Sequence, residues 1–259
     1  MEWGLVRYEI FIYYIPAMKR QRKLTESLVR LIVLLLGLFI LAQGIAFTIL
    51  ANLGTDAITG PALVAHLVLG DVPGGAGYSF CTVGRMLICV HIILVLMQIA
   101  LLRSKYRPVQ LLQIVMGLIL GNMLDICLSY TTLLPLPNYA ASIAYTLLGC
   151  TICAFGIFTF VKADMIPLSA EGLCLALSST FKWRFSRVKI AVDCSLLLIA
   201  VAASLLLLGE VAGVREGSVI CAVSTGYIIG LFFKTCPMWD RLFALVSGNN
   251  SMDSDSDLA

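Results

Sequence analysis

Gly37-Leu-Phe-Ile-Leu-Ala-Gln-Gly44, followed by Ala51-Asn52-Leu53-Gly54-Thr55-Asp56, returns 112 positions later as Gly149-Cys-Thr-Ile-Cys-Ala-Phe-Gly156, then Ala163-Asp164-Met165-Ile166-Pro167. Gly37 matches Gly149, Gly44 matches Gly156, Ala51 matches Ala163, Asn52 matches Asp164 and Gly60 matches Gly172. Further on, Ser79–Val83 aligns with Arg184–Val188, and Gly117 and Gly121 align with Gly226 and Gly230. Paired glycines recur in any helix that packs closely in a membrane, so each match alone carries little. Their common order points to an internal duplication.

Around these blocks the chain is strongly apolar. Of its 259 residues, 60% are hydrophobic and 13% charged, with a mean hydropathy of +0.97, which lies outside the soluble globular range. About 20 apolar residues cross a hydrocarbon layer of roughly 30 Å. Six stretches satisfy that length, 28–50, 80–102, 108–129, 140–162, 188–209 and 217–234. Two shorter ones, 57–70 and 168–181, have the length of re-entrant or interfacial helices.

The basic residues fix the expected orientation. Six of the 18 Lys and Arg fall in the N-terminal segment, three at 103–107, five in 162–190 and two near the C-terminus, at Lys234 and Arg241. The alternate loops hold only Arg215, and Arg85 lies inside a span. Loops retained in the cytoplasm collect such residues, so both termini are expected there, with an even number of spans. Eight crossings would scatter the cations over both sides. Six spans with two re-entrant helices keep them on one.

Each half then reads span, short helix, span, span. Three crossings per half invert the second half relative to the first, a construction common among secondary transporters. The expected fold is an all-α membrane protein of six transmembrane helices plus two short re-entrant helices, a 3+3 inverted-topology repeat. Its parts are a basic cytoplasmic segment at 1–27, repeat 1 at 28–130, repeat 2 at 140–235 and a disordered acidic tail at 247–259. No cleavable signal peptide is readable in the first 17 residues, and Met18 is an alternative start. Segment 71–79, rich in glycine, reads as a flexible external loop.

The run from Gly44 to Ala57, a short helix, a Gly-rich loop and Thr82-Val83-Gly84-Arg85 resemble the bacterial YczE/YyaS/YitT-type integral membrane proteins over about 28–235. Ala57 stands where that family usually carries proline. The resemblance implies a multi-pass protein of the bacterial inner membrane, a transporter or exporter without a defined substrate, and supplies no catalytic residues.

Polar residues within a bilayer are costly, so they are the candidate site. Asn52, Thr55 and Asp56 close the first span and open a short helix; the plain reading is a cap and turn, the functional one an anion held by freed amides. Asp164 and Glu171 occupy the matching place in the second half, where Glu171 either caps with Ser169 or faces a vestibule. Arg85 either snorkels to the interface or pairs with Asp125, Asp56 or an anionic substrate. Asp193 either pairs locally with Lys189 or serves as a proton-coupled carboxylate. Gln43, Gln98, Gln113 and Asn122 read as interhelical hydrogen-bond glue, and His91 as a proton relay or a carbonyl partner.

Cys150-x-x-Cys153 lacks a second such pair and reads as packing, like most of the nine cysteines. No phosphate loop or hydrolase motif is present, so neither an enzyme, a cofactor nor a metal is expected. The leading expectation is an ion- or proton-coupled secondary transporter or exporter of a small anionic or amphipathic metabolite. The competing one is a non-transporting accessory protein that supports a membrane or envelope complex. The expected partners are the lipid bilayer, an unidentified small-molecule substrate and a second copy of the chain.

Overall fold

A computed structural model describes residues 24–73, 75–103, 106, 108–135 and 138–247. The expectations for 1–23 and for the tail from 248 lie outside the described residues. The described part is helical throughout, with no strand and one isolated bridge, Gly70 to Tyr78. The helices are α1 (Leu24–Ala51), α2 (Thr59–Leu69), α3 (Val83–Leu102), α4 (Leu112–Thr131), α5 (Tyr139–Ala163), α6 (Ser169–Phe181), α7 (Phe185–Leu208), α8 (Glu216–Thr235) and α9 (Met238–Ser247). Five of them, α1, α3, α4 with the 3-10 turn before it, α5 and α7, are long and apolar enough to cross a membrane.

The centre of the protein is the antiparallel pair α1 and α5, and its glycines make the contact. A Cβ on Gly44 would lie 2.5 Å from Cys153 N and 2.9 Å from Gly149 O. A Cβ on Gly156 would lie 2.5 Å from Leu41 N and 3.0 Å from Gly37 O. Only hydrogen fits at this backbone-to-backbone approach, the packing small residues permit in membranes. Leu34, Leu38, Ala42 and Phe158 fill the adjoining core, and Ala154 is fully buried. Phe158 also meets Phe232 and Phe233 of α8, at ring separations of 5.8 and 5.1 Å.

Asn52 and Asp164 terminate α1 and α5 in the same way. Both take the left-handed conformation, φ 54° and 51°, and each amide bonds a carbonyl three residues back. Asn and Asp tolerate that region better than other side-chain-bearing residues. The chain then runs without helical structure into α2 and α6. In the first linker, Leu53 O accepts from Gly217 N at 2.7 Å and Thr55 N donates to Gly213 O at 3.3 Å. Buried non-helical backbone needs such protein partners. Gly54, at φ 104°, permits the approach, because a Cβ would meet Ser218 Oγ at 2.5 Å.

Two features differ from the expectations. The 71–79 segment is tied back rather than flexible: Ala76, Gly77 and Tyr78 donate their amides to Val68, Gly70 and Leu69, and His66 Nδ1 lies 2.6 Å from Cys81 O. Gly75 serves this close return, since a Cβ there would lie 2.5 Å from Gly70 O. The amphipathic helix α9 was also unforeseen. Trp239 and Phe243 are buried against α1 and α5, Trp239 Nε1 donates to Thr159 Oγ1, and the Arg30 guanidinium lies 4.1 Å from the Phe243 ring centre.

Candidate functional site

The starts of the two short helices converge on α3. Asp56 caps α2, its Oδ2 accepting from Ile58 N at 3.2 Å and Thr59 N at 3.3 Å. Thr55 Oγ1 donates to Asp56 Oδ1 at 3.3 Å and lies 3.2 Å from Thr48 Oγ1. At the start of α6, Ser169 Oγ lies 2.5 Å from His91 Nδ1 on α3, and Ser169 O accepts from Gln98 Nε2 at 2.9 Å. Gln98 Nε2 also donates to Gln113 Oε1 of α4 at 3.0 Å. His91, Gln98, Gln113 and Ser169 are all buried. Gly172 lets α6 sit on this layer, since a Cβ there would reach the Gln113 amide at 2.6 Å.

Charge gathers on the next face of α6. Lys189 Nζ and Asp193 Oδ1 on α7 are 2.9 Å apart, each side chain about a third exposed. Glu171 projects within electrostatic reach of Lys189, Asp193 and Asp56, and Asp56 is coupled in turn to His91. Two carboxylates, Asp193 in contact and Glu171 at longer range, therefore act on one ammonium. Thr59 Oγ1, His91 Nε2, Gln98 Oε1 and Glu171 Oε2 are buried and have no hydrogen-bond partner among the described residues. Native structures leave few such atoms, so four around two helix starts mark a place that water or a ligand completes. Among the described residues no group of three His, Cys, Asp or Glu could hold a metal ion.

The expected site residues divide. Thr55, Asp56, Glu171 and Asp193 border this layer. Arg85 does not: it is exposed, donates to Phe80 O at 2.9 Å and lies 4.3 Å from that ring's centre. Asp125 is engaged elsewhere, accepting from Thr82 Oγ1 at 2.6 Å and Gly84 N at 2.8 Å. The Arg85–Asp125 pair is therefore not formed; Asp125 ties the start of α3 to α4 instead. Asn52 and Asp164 shape helix ends, and Asn52 is exposed, its carbonyl accepting from Arg215 at 3.4 Å. Glu171 makes no cap with Ser169, whose hydroxyl faces His91.

His91 bonds a hydroxyl rather than a carbonyl. Gln98–Gln113 and Gln43–Thr131 do join helices, the latter at 3.1 Å with Tyr130 adding its hydroxyl, whereas Asn122 bonds its own helix at Leu118 O. The local Lys189–Asp193 pair expected from the sequence is formed, whereas the contact of Ser169 with His91 had no sequence signal.

An all-helical protein with five helices able to cross a membrane, its polar side chains gathered where two short helices begin, is the class these features define. The chain belongs to DUF6198, a family of unknown function, which matches residues 28–234. No curated protein and no solved structure matches it.

Proposed function

We propose that this chain is a secondary transporter of the bacterial inner membrane, a 3+3 inverted repeat whose sixth span is α8 and whose re-entrant helices are α2 and α6. Residue correspondence supports the repeat. Gly44 meets Gly149, the counterpart of Gly37, while Gly37 meets Gly156, the counterpart of Gly44. Reciprocal contacts of this kind are what a two-fold axis generates. The resemblance of the Gly44–Ala57 run and Thr82–Arg85 to YczE/YyaS/YitT-type proteins supports a multi-pass reading and adds no substrate.

One observation carries the transport reading: both short helices begin beside a buried polar layer with four atoms unpartnered among the described residues. Transporters place substrate and coupling-ion sites where broken helices meet at the repeat interface. Lys189 pairs with Asp193 and acts at longer range on Glu171, so a proton or cation entering the cluster can compete with the ammonium for Asp193. The layer thus couples movement of a small metabolite to an ion or proton gradient.

A second difference supports motion. Gly117 and Gly121 of α4 are packed tightly against α3, yet their counterparts Gly226 and Gly230 on α8 have open space beside them. The two halves therefore differ in how their last helix packs, an asymmetry compatible with an inverted repeat that alternates access. The accessory reading draws on the close packing of the first half, where Gly84 and Gly121 meet backbone to backbone.

The test is thermal stability of the purified protein across a metabolite library, in wild type and in Glu171→Gln, Lys189→Met and Arg85→Gln. A ligand at a hundred times its Kd stabilises the folded state by about 2.7 kcal/mol. A hit lost in the first two variants and kept in Arg85→Gln, with flux in liposomes, supports transport. Hits indifferent to Glu171 and Lys189, or a broad library without hits, favour the accessory role.

A further inference from the structure

Away from the polar layer, the hairpin that joins α6 to α7 opens a groove of about 590 Å³ between those helices. One end is cationic and aromatic, formed by Lys182, Trp183, Arg184 and Arg187; the other is aliphatic, with Leu177, Val188 and Val192 on its walls. The hairpin is held in shape. Lys182 takes a left-handed conformation at φ 56°, Ser178 Oγ donates to Trp183 O at 2.7 Å, and Phe181 stacks on Trp183 with ring centres 5.1 Å apart.

The three cations have no carboxylate partner among the described residues. Arg184 and Arg187 stand at the start of α7, whose first turn carries no acidic residue. A helix start already bears partial positive charge, so cations there raise a potential that only an anion relieves. Loop cations of an ordinary cytoplasmic segment would be hydrated singly. Here they line one concavity that continues into apolar surface.

We propose that this groove binds an anionic phospholipid of the cytoplasmic leaflet, its phosphate held by Lys182, Arg184 and Arg187. One acyl chain lies along Leu177, Val188 and Val192, and Trp183 stands at the headgroup level, where tryptophan is enriched. Basic pockets between membrane helices on the cytoplasmic side suit such headgroups. The assignment requires only that the basic end of α7 lie at the membrane surface. It holds whether or not the chain transports.

Native mass spectrometry of the full chain, equilibrated with equal amounts of phosphatidylglycerol and phosphatidylcholine, reads the preference directly. Wild type is expected to retain phosphatidylglycerol at least tenfold over phosphatidylcholine. Lys182→Gln/Arg184→Gln/Arg187→Gln brings the ratio near one, while Arg103→Gln/Lys234→Gln/Arg241→Gln, which removes equal charge elsewhere, leaves it unchanged. Ala191→Trp, which blocks the apolar wall and keeps every cation, lowers retention as well and serves if the triple variant fails to fold. No preference in wild type, or equal losses in both triple variants, overturns the proposal. So does full competition by soluble glycerol phosphate, which would make the groove a site for free anions.

Discussion

Leu41 and Cys153, 112 positions apart, meet each other at the middle of the α1–α5 interface, with Cys153 Sγ 3.8 Å from Leu41 O. The same spacing separates Gly37 from Gly149 and Gly44 from Gly156. Under the proposed repeat these two residues are counterparts, and the paired glycines flank their contact on either side. The prediction with the largest expected effect follows from this arrangement.

Gly44→Ala and Gly156→Ala each place a Cβ 2.5 Å from a backbone nitrogen of the facing helix, which cannot yield as a side-chain end would. Overpacking of this kind costs about 1–3 kcal/mol. Gly226→Ala meets open space and gains about 0.5–1 kcal/mol from helix entropy. Unfolding in mixed micelles should rank the three in that order; equal effects would remove the close approach.

Asp125→Ala strands the Gly84 amide and the Thr82 hydroxyl, which both donate to that carboxylate. The expected loss is about 1–3 kcal/mol. Arg85→Gln should stay within about 0.5 kcal/mol of wild type. A double-mutant cycle between Arg85 and Asp125 should return no coupling, and a clear coupling energy would restore the pair that the sequence suggested.

Asp56→Ala removes the cap of α2 and should cost about 1 kcal/mol, with Asp56→Ser recovering most of it. In the transport reading Asp56→Ser still lacks the charge that acts on His91 and Glu171. Stability and flux should therefore separate in this variant. Recovery of both together would make Asp56 a cap and nothing more.

The buried His91–Ser169 contact links a full-length helix to the start of a short one. His91→Ala and Ser169→Ala should couple by about 0.6 kcal/mol, the average for hydrogen bonds measured between membrane helices. Additive effects in the cycle would mean that the two side chains act independently.

Much of the fold was legible because lipid imposes a one-dimensional rule. A span must be apolar over its whole length, so the expected stretch 140–162 and the observed α5 at Tyr139–Ala163 nearly coincide. The short helices showed themselves through length, and Asn52 and Asp164 as turn residues between long and short helices, though their left-handed conformation emerged only in the structure. Helix α9 was hidden because its apolar residues line only one face, which hydropathy averages away.

The site was less legible. Hydropathy marks which polar residues are costly but not which of them meet. Arg85 and Asp125 share a depth, yet rotation about the helix axes turns one outward and the other onto Gly84. His91 and Ser169 lie 78 positions apart, and no periodicity relates them.

By itself the sequence determined the membrane-helical class, the near-boundaries of every long helix and the order long, short, long, long in each half. Those follow from the solvent, because each segment answers to lipid or water separately. Only the tertiary structure decided that Asp56, His91, Ser169, Glu171 and Lys189 gather around the starts of α2 and α6. That depends on helix rotation and on glycine contacts such as Gly172 against Gln113, where the absence of a side chain lets distant segments meet.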